Sequence, residues 1–153
     1  MTELQVEVVR LEAMRVMCFN GFGESPERLA LEKLLAWARA NNQHGRVFGY
    51  NNPGPAMGSP NYGYDLWIQV DESVLAQGDA RLVNFPGGLY AVARIHVTDP
   101  EHHIPEAWHA LVKWMEANDY RHGAHQWLEE HIDAENALGG ENFMLDLYLP
   151  LKK

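Results

Sequence analysis

The sequence predicts an α+β fold in which a strand–helix–strand–strand unit occurs twice. Two similar segments, Leu34–Asn42 (LLAWARANN) and Leu111–Asp119 (LVKWMEAND), lie 77 residues apart, which is half of the 153-residue chain. Both have the apolar spacing of an amphipathic helix, and strand-like segments flank both. A duplicated unit predicts a groove where the halves meet. We therefore expect one domain over residues 1–153, built from repeats at about 1–76 and 77–153.

The 77-residue offset also relates strands. It places Met14–Gly21 on Ala91–Thr98, and it pairs Gln69 with Asp146. A chance likeness between two amphipathic helices would explain the shared Trp and Asn, but not the recurring order of elements. Because Gln69 is neutral and Asp146 is acidic, this offset predicts a cleft that is symmetric in shape and asymmetric in charge.

The elements of the first repeat follow from local patterns. Alternating polarity predicts a long or broken strand over Glu3–Phe19. Ser25 and Pro26 are typical of a helix start, and the apolar stripe continues to about Asn41. Val47–Tyr50 and Tyr64–Val70 have the composition of strands.

The segment Asn51–Gly63 (NNPGPAMGSPNYG) has three prolines and three glycines, which exclude regular structure. Its aromatic residues and Met57 favour a lid over a binding site, although a plain connector fits nearly as well.

The second repeat follows a link over Asp71–Gly88 that ends in a Pro-Gly-Gly turn. Leu89–Val97 is a predicted strand, and a helix is predicted from Pro105. His125–Glu130 is a short strand or extended segment, and Phe143–Leu149 alternates as the last strand.

Composition excludes several classes of protein. The formal net charge is −9 and no basic patch occurs, so a direct nucleic-acid partner is not expected. The apolar runs are too short to span a membrane, and the acidic N-terminus is unlike a signal peptide, which predicts a cytoplasmic location. Cys18 is the single cysteine, so it cannot form an intrachain disulfide. No cofactor or metal site is expected, since the eight histidines lack metal-ligand spacing.

Strand alternation indicates where a ligand could bind. One face of the last strand is apolar and suits packing under the helices, whereas the opposite face mixes large aromatics with acids. This mixture fits a cleft for flat cationic molecules, although a dimer interface is the simpler alternative. The residues of that face in the two repeats are Asp65, Trp67, Gln69, Met144, Asp146 and Tyr148.

Several motifs together resemble the GyrI-like domain, also called the bacterial transcription activator effector-binding domain. They are Phe85–Val92 (FPGGLYAV), the Trp108–Trp114 helix, Leu128–Ile132 (LEEHI) and Leu145–Pro150 (LDLYLP). The resemblance implies two pseudo-symmetric α+β repeats around a cleft. It also implies one of several roles, since members bind lipophilic cationic drugs, inhibit DNA gyrase or hydrolyse cyclopropane-containing alkylators.

The resemblance also implies site residues. The family's key acid, in an aromatic-Glu-x-Tyr-Leu motif, corresponds to Glu129, although His131 stands where the motif has Tyr. Its second acid corresponds to Asp146, and its pocket aromatics correspond to Phe48 and His103. From the residues alone, Glu130 is the surface candidate of the Glu129–Glu130 pair.

We thus expect a stand-alone protein that binds flat hydrophobic, often cationic small molecules, with no membrane partner and a possible protein partner or homodimer. One alternative is a hydrolase of electrophilic natural products that uses Glu129 as acid or base. A second alternative is a gyrase-inhibitor-like interaction module. The expected ligand-binding residues are Phe19, Phe48, Trp67, His96, His103, Trp127, Glu129, Asp146 and Tyr148.

Overall fold

The computed structural model describes residues 4–52, 54, 58–76, 78, 80–132, 134 and 142–153. These residues form two helices and nine antiparallel strands, which confirms the predicted α+β class. The chain divides into two compact units. Unit 1 comprises Met1–Ala13 and Pro86–Lys153, and unit 2 comprises Met14–Phe85.

Unit 2 is a four-stranded sheet with one helix. Its elements are β2 (Met14–Gly23), α1 (Pro26–Ala40), β3 (Val47–Asn51), β4 (Tyr62–Val70) and β5 (Arg81–Phe85). The strand order is β5-β2-β4-β3.

Helix α1 forms where its apolar spacing predicts. Proline occupies its first turn, and Ala30, Leu34 and Ala38 are buried at four-residue intervals, which places them on one side of the helix. Ser25 is the N-cap residue, but its side chain makes no capping hydrogen bond.

Unit 1 has the same plan with one additional short strand. Its order is β1-β6-β9-β8, and β7 pairs with β9. The elements are β1 (Val6–Leu11), β6 (Gly88–Val97), α2 (Pro100–Ala117), β7 (Arg121–His122), β8 (Leu128–His131) and β9 (Phe143–Lys152).

The core of unit 1 lies between α2 and its sheet. Ala107, Leu111 and Met115 of the helix pack on Leu145 and Leu147 of β9. This confirms the predicted apolar face of the last strand. The helix starts at Pro100 instead of Pro105, since a proline in the first turn costs no hydrogen bond, and Pro105 lies inside the helix.

The segment Glu3–Phe19, predicted as a long or broken strand, is broken after Leu11 into two strands, which belong to different units. β1 pairs with β6 in unit 1, and β5 pairs with β2 in unit 2. The link predicted over Asp71–Gly88 therefore contains a strand that the sequence pattern did not show.

In unit 1 the turn before β6 needs glycine: Gly87 has φ of 80°, and an added Cβ would lie 2.3 Å from the carbonyl oxygen of Leu11.

The 77-residue offset holds for the ends of the helices, at Ala40 and Ala117, but not for their starts or for the strands. Ten-residue β2 begins at Met14 and ten-residue β6 begins at Gly88, which is an offset of 74. Asn20 of β2 thus corresponds to Arg94 of β6. Since Asp65 pairs with Asn20 and Asp146 pairs with Arg94, Asp65 is the equivalent of Asp146. The predicted pairing of Gln69 with Asp146 is therefore wrong, and both repeats have an acid at this position.

Candidate functional site

Each sheet has one side against its helix and one side turned away from it, here called its far face. In unit 1 the residues that pack with α2 include Ala91, Ala93, Leu145 and Leu147. Because side chains alternate along a strand, the residues between them point to the far face. The far face of unit 1 is formed by Tyr90, Val92, Arg94, Leu128, Glu130, Asp146 and Tyr148.

An ion pair lies on the far face of unit 1. Nε and Nη2 of Arg94 donate to the two carboxylate oxygens of Asp146 at 2.8 and 3.1 Å. The aspartate side chain is 12% exposed, whereas the arginine side chain is 57% exposed. The hydrogen bond with Asp146 and its negative charge raise the pKa of Arg94. The partner of this buried acid is thus a cation that solvent can reach.

A second acid lies beside this pair. Glu130 is 8% exposed and lies directly opposite Asp146 in the β8–β9 pairing. Tyr148 Oη donates to its Oε1 at 2.7 Å, and the Tyr148 ring meets the Tyr90 ring edge-on at 5.4 Å. Burial raises the pKa of Tyr90, so its phenol stays protonated and donates to the carbonyl oxygen of Gln126. The expectation that Glu130 is the exposed member of the Glu129–Glu130 pair is wrong.

The far face of unit 2 is rich in aromatic rings. An added Cβ at Gly21 would meet the backbone of α1, so Gly21 faces the helix. Asn20 and Cys18 of β2 therefore point away from the helix, and so do their β4 partners Asp65 and Trp67. Trp67 is 4% exposed and lies opposite Phe48 in the β3–β4 pairing. The Trp67 ring lies 5.2 Å from the Tyr50 ring and 5.3 Å from the Phe85 ring.

Asp65 is the buried acid of this face, with no exposed surface. It accepts hydrogen bonds from Asn20 at 2.7 Å, Asn52 at 2.8 Å and Arg81 at 3.1 Å, so its charge is well compensated. Arg81 Nη2 also lies 3.6 Å from the Cys18 sulfur. Burial raises the pKa of Cys18 to about 11, which keeps the thiol protonated and chemically inert.

An open groove of about 1560 Å³ in unit 1 brings three predicted site residues together. It is lined in part by His96, His103 and Asp146, with Glu7 and Glu106. His103 Nδ1 accepts from the backbone N–H groups of residues 98 and 99 at 3.2 Å each, so this histidine also holds the start of α2.

Three other predicted residues lie on the helix sides of the sheets. Glu129 Oε2 accepts from Trp108 Nε1 of α2 at 3.4 Å, and the Trp127 ring lies 5.2 Å from the Trp108 ring. Phe19 contacts Trp37 of α1, with ring centroids 5.7 Å apart. Trp127 and Glu129 are therefore close together, but Glu129 lies on the opposite side of the sheet from Asp146.

The predicted lid falls partly outside the described residues, and Met57 is among those not described. At its ends, Asn52 bonds to Asp65, and Tyr62 Oη donates to Glu27 Oε1 at 2.5 Å. The lid remains a prediction. Among the described residues, no group of three or more His, Cys, Asp and Glu side chains could hold a metal ion. None of the helices in those residues is long and apolar enough to cross a membrane.

Comparison with known proteins identifies the family of this chain. Residues 4–152 match the model of the GyrI-like small molecule binding domain. The chain belongs to the GyrI-like family. A search of curated proteins found no match.

Solved structures share the GyrI-like fold of this chain. In an EcmrR–DNA complex, EcmrR is 13% identical with a TM-score of 0.73, and the match covers all of this chain and 59% of EcmrR. A hydrolase encoded by lin2189 from Listeria innocua is 12% identical with a TM-score of 0.69, covering 97% of this chain and 92% of the hydrolase. SAV2435, solved bound to tetraphenylphosphonium, is 10% identical with a TM-score of 0.56, covering 97% and 94%. At these identities the likeness concerns the fold.

The GyrI-like domain therefore has residues on its far faces that the sequence pattern missed, namely Tyr50, Tyr90, Arg94 and Glu130. Alternation from a known register would have identified them, but it required the strand pairing. Two carboxylates, one guanidinium and two phenols on the far face of unit 1 can attract a cation and surround it with aromatic surface.

Proposed function

We propose that this chain is a cytoplasmic binding protein for flat, hydrophobic, often cationic small molecules, and that the far face of unit 1 binds the cation. The observation that carries this proposal is the pair of buried acids, Glu130 and Asp146, beside the rings of Tyr90 and Tyr148. A carboxylate in an apolar setting is poorly solvated, so a cation that approaches it is bound more strongly than in water.

The family and one relative support this ligand class. GyrI-like domains bind small molecules, and this chain matches their model over nearly its full length. SAV2435, which shares the fold, was solved with tetraphenylphosphonium, a hydrophobic cation. A good cation–π contact contributes on the order of 1–2 kcal/mol when desolvated, so two rings supply about 2–4 of the roughly 8 kcal/mol that micromolar binding requires. Charge pairing with the carboxylates and burial of the ligand's apolar surface are to supply the rest.

Ligand entry requires the far face to rearrange. Tyr148 is 4% exposed, so a ligand must displace neighbouring side chains to reach its ring. Arg94 is the side chain best suited to move, because it is largely exposed and its loss from Asp146 can be replaced by the ligand's own charge. We propose that the bound cation takes over from Arg94 at Asp146.

The chain offers a matched pair of variants to test this. Glu130→Gln removes a carboxylate from the far face, whereas Glu129→Gln removes one from the adjacent position on the other side of the same strand. Fluorescence titration with a rhodamine cation should show about tenfold weaker binding for Glu130→Gln, and a neutral rhodamine analogue should lose much less.

The controls decide between the two acids. We expect Glu129→Gln to bind the cation at the far face with the affinity of the wild-type chain. Equal losses for the cation and the neutral analogue would refute the charge role of Glu130. A loss confined to Glu129→Gln would instead assign the charge role to Glu129, as the family motif predicts.

A hydrolase is the second candidate, and the hydrogen bond between Tyr148 and Glu130 favours it. A buried phenol and carboxylate 2.7 Å apart can exchange a proton with a bound substrate. The hydrolase from Listeria innocua shares this fold. Incubation with a cyclopropane-containing alkylator, followed by mass spectrometry, tests this activity. Turnover lost in Glu129→Ala but kept in Glu130→Gln would assign the acid–base role to Glu129, and the reverse would assign it to Glu130. No turnover would reject this candidate.

A further inference from the structure

Strand β1 lies at the edge of the unit 1 sheet. Among the described residues it pairs with β6 on one side only, and its sequence VEVVRL has no proline or lysine that would protect the other side. In an edge strand every second residue directs its N–H and C=O groups outward. β1 can therefore form main-chain hydrogen bonds with a further strand.

The helix side of β1 has an exposed apolar side chain and a cation. Val6 and Val8 lie opposite Ala93 and Ala91, which pack with α2, so alternation also places Arg10 on this side. Val8 is 43% exposed, although it is apolar. Arg10 is exposed, and it forms no ion pair within the part of the chain that the structure describes. A strand added here would cover the valine and could pair the arginine.

An acid lies near the start of β1. The open groove of unit 1 is lined there by Leu4 and Val6, and on α2 by Glu106 and Ala107. Glu106 is exposed and forms no ion pair with any described residue. The strand thus has a cation near its end and an acid near its start. An antiparallel second copy brings the end of one strand to the start of the other, so the two charges become complementary.

Charge also limits the register that two copies can adopt. Two antiparallel edge strands related by a twofold axis place one residue opposite itself. Among the inner four residues of β1, an axis at Glu7 or at Arg10 would oppose like charges, which is unfavourable. An axis at Val9 would bring Glu12 of the second copy opposite the start of β1, beside Glu106. These three registers are therefore disfavoured.

An axis at Val8 has none of these conflicts. The exposed Val8 side chains then cover each other at the axis. Arg10 of the second copy lies opposite Val6, which lines the groove together with Glu106. By symmetry this charge pairing forms twice.

We propose that two copies of this chain associate by antiparallel pairing of their β1 strands, with Val8 on the twofold axis and Arg10 of each copy paired with Glu106 of the other. The inference is independent of the proposed function, because no ligand takes part. An interface of one strand and one groove rim per copy is at the low end of protein interfaces, below roughly 1,200 Å² in total, so we expect a Kd of about 10 µM.

Sedimentation velocity without ligand tests the association. Over a concentration series that spans this Kd, the mass of the wild-type chain should rise from 17.4 kDa toward twice that value. Val8→Lys places two like charges at the axis and should abolish the rise. Leu29→Lys is the matched control, because Leu29 is also 43% exposed but lies on α1 of unit 2. It should leave the Kd unchanged.

A charge exchange tests the register. Arg10→Glu and Glu106→Arg should each weaken the dimer by about tenfold, because each opposes like charges across the interface. The double variant should restore the wild-type Kd, which a structural effect of either substitution alone would not do. A mass of 17.4 kDa at every concentration would overturn the proposal and leave the proposed function intact. A dimer that survives Val8→Lys would overturn its location, and a double variant as weak as the single variants would overturn its register.

Discussion

Asp65 and Asp146 occupy equivalent positions in the two repeats, but their surroundings predict very different contributions to stability. Asp65 has no exposed surface and accepts hydrogen bonds from Asn20, Asn52 and Arg81. Asp146 is 12% exposed in its side chain and is held by Arg94. A hydrogen bond to a charged group contributes about 1.5–3 kcal/mol.

Asp65→Ala removes the acceptor for two amide groups and a guanidinium, all on exposed residues that regain water in the variant. The loss is then that of the hydrogen bonds to a fully buried carboxylate, and we expect about 3–4 kcal/mol. Asp146→Ala leaves a largely solvated Arg94, so we expect a loss of about 1–2 kcal/mol.

Urea unfolding followed by tryptophan fluorescence gives both free energies of unfolding. The denaturant slope must stay unchanged for the comparison to hold. Equal losses at the two positions, or a larger loss for Asp146→Ala, would refute the reasoning that burial and the number of donors determine the effect.

Two further predictions concern charge. Burial lowers the pKa of His131 to about 4, below its usual 6.5, with the charge of Glu130 acting in the opposite direction. As pH falls, the unfolded chain therefore binds a proton at His131 before the folded chain does. The contribution of His131 to the free energy of unfolding is full above about pH 6.5 and is lost between about pH 6.5 and pH 4. The shift corresponds to at most about 3 kcal/mol, since the residue keeps partial solvent contact. Urea unfolding at pH 7.5 and 5.0 should show this loss in the wild-type chain, and His131→Gln should remove most of it. Arg94→Met should strengthen binding of a rhodamine cation by about tenfold, because Asp146 loses its competing cation. The affinity for a neutral rhodamine analogue should not fall. Unchanged affinity for the cation would contradict the proposed exchange at Asp146.

The sequence by itself determined the elements whose pattern is local. The helices follow from an apolar residue at every third or fourth position, and Ala30, Leu34 and Ala38 are buried as that spacing requires. The last strand alternates along its own length, so its two faces could be assigned before any pairing was known. Asp146 and Tyr148 therefore lie on the face that the sequence indicated.

Tertiary structure decided the exchange of β1 and β5 between the repeats and the register of the strands. A strand has a side-chain period of two, so a register error of one residue moves every side chain to the other side of the sheet. The helix offset of 77 therefore could not be carried over to the strands. Glu129 and Glu130 are adjacent in sequence. Only the pairing of Glu130 with Asp146 shows that Glu130, and not Glu129, lies on the same face of the sheet as Asp146. The chain's local pattern thus determined which residue types could bind a cation, and long-range backbone pairing decided which of them lie together.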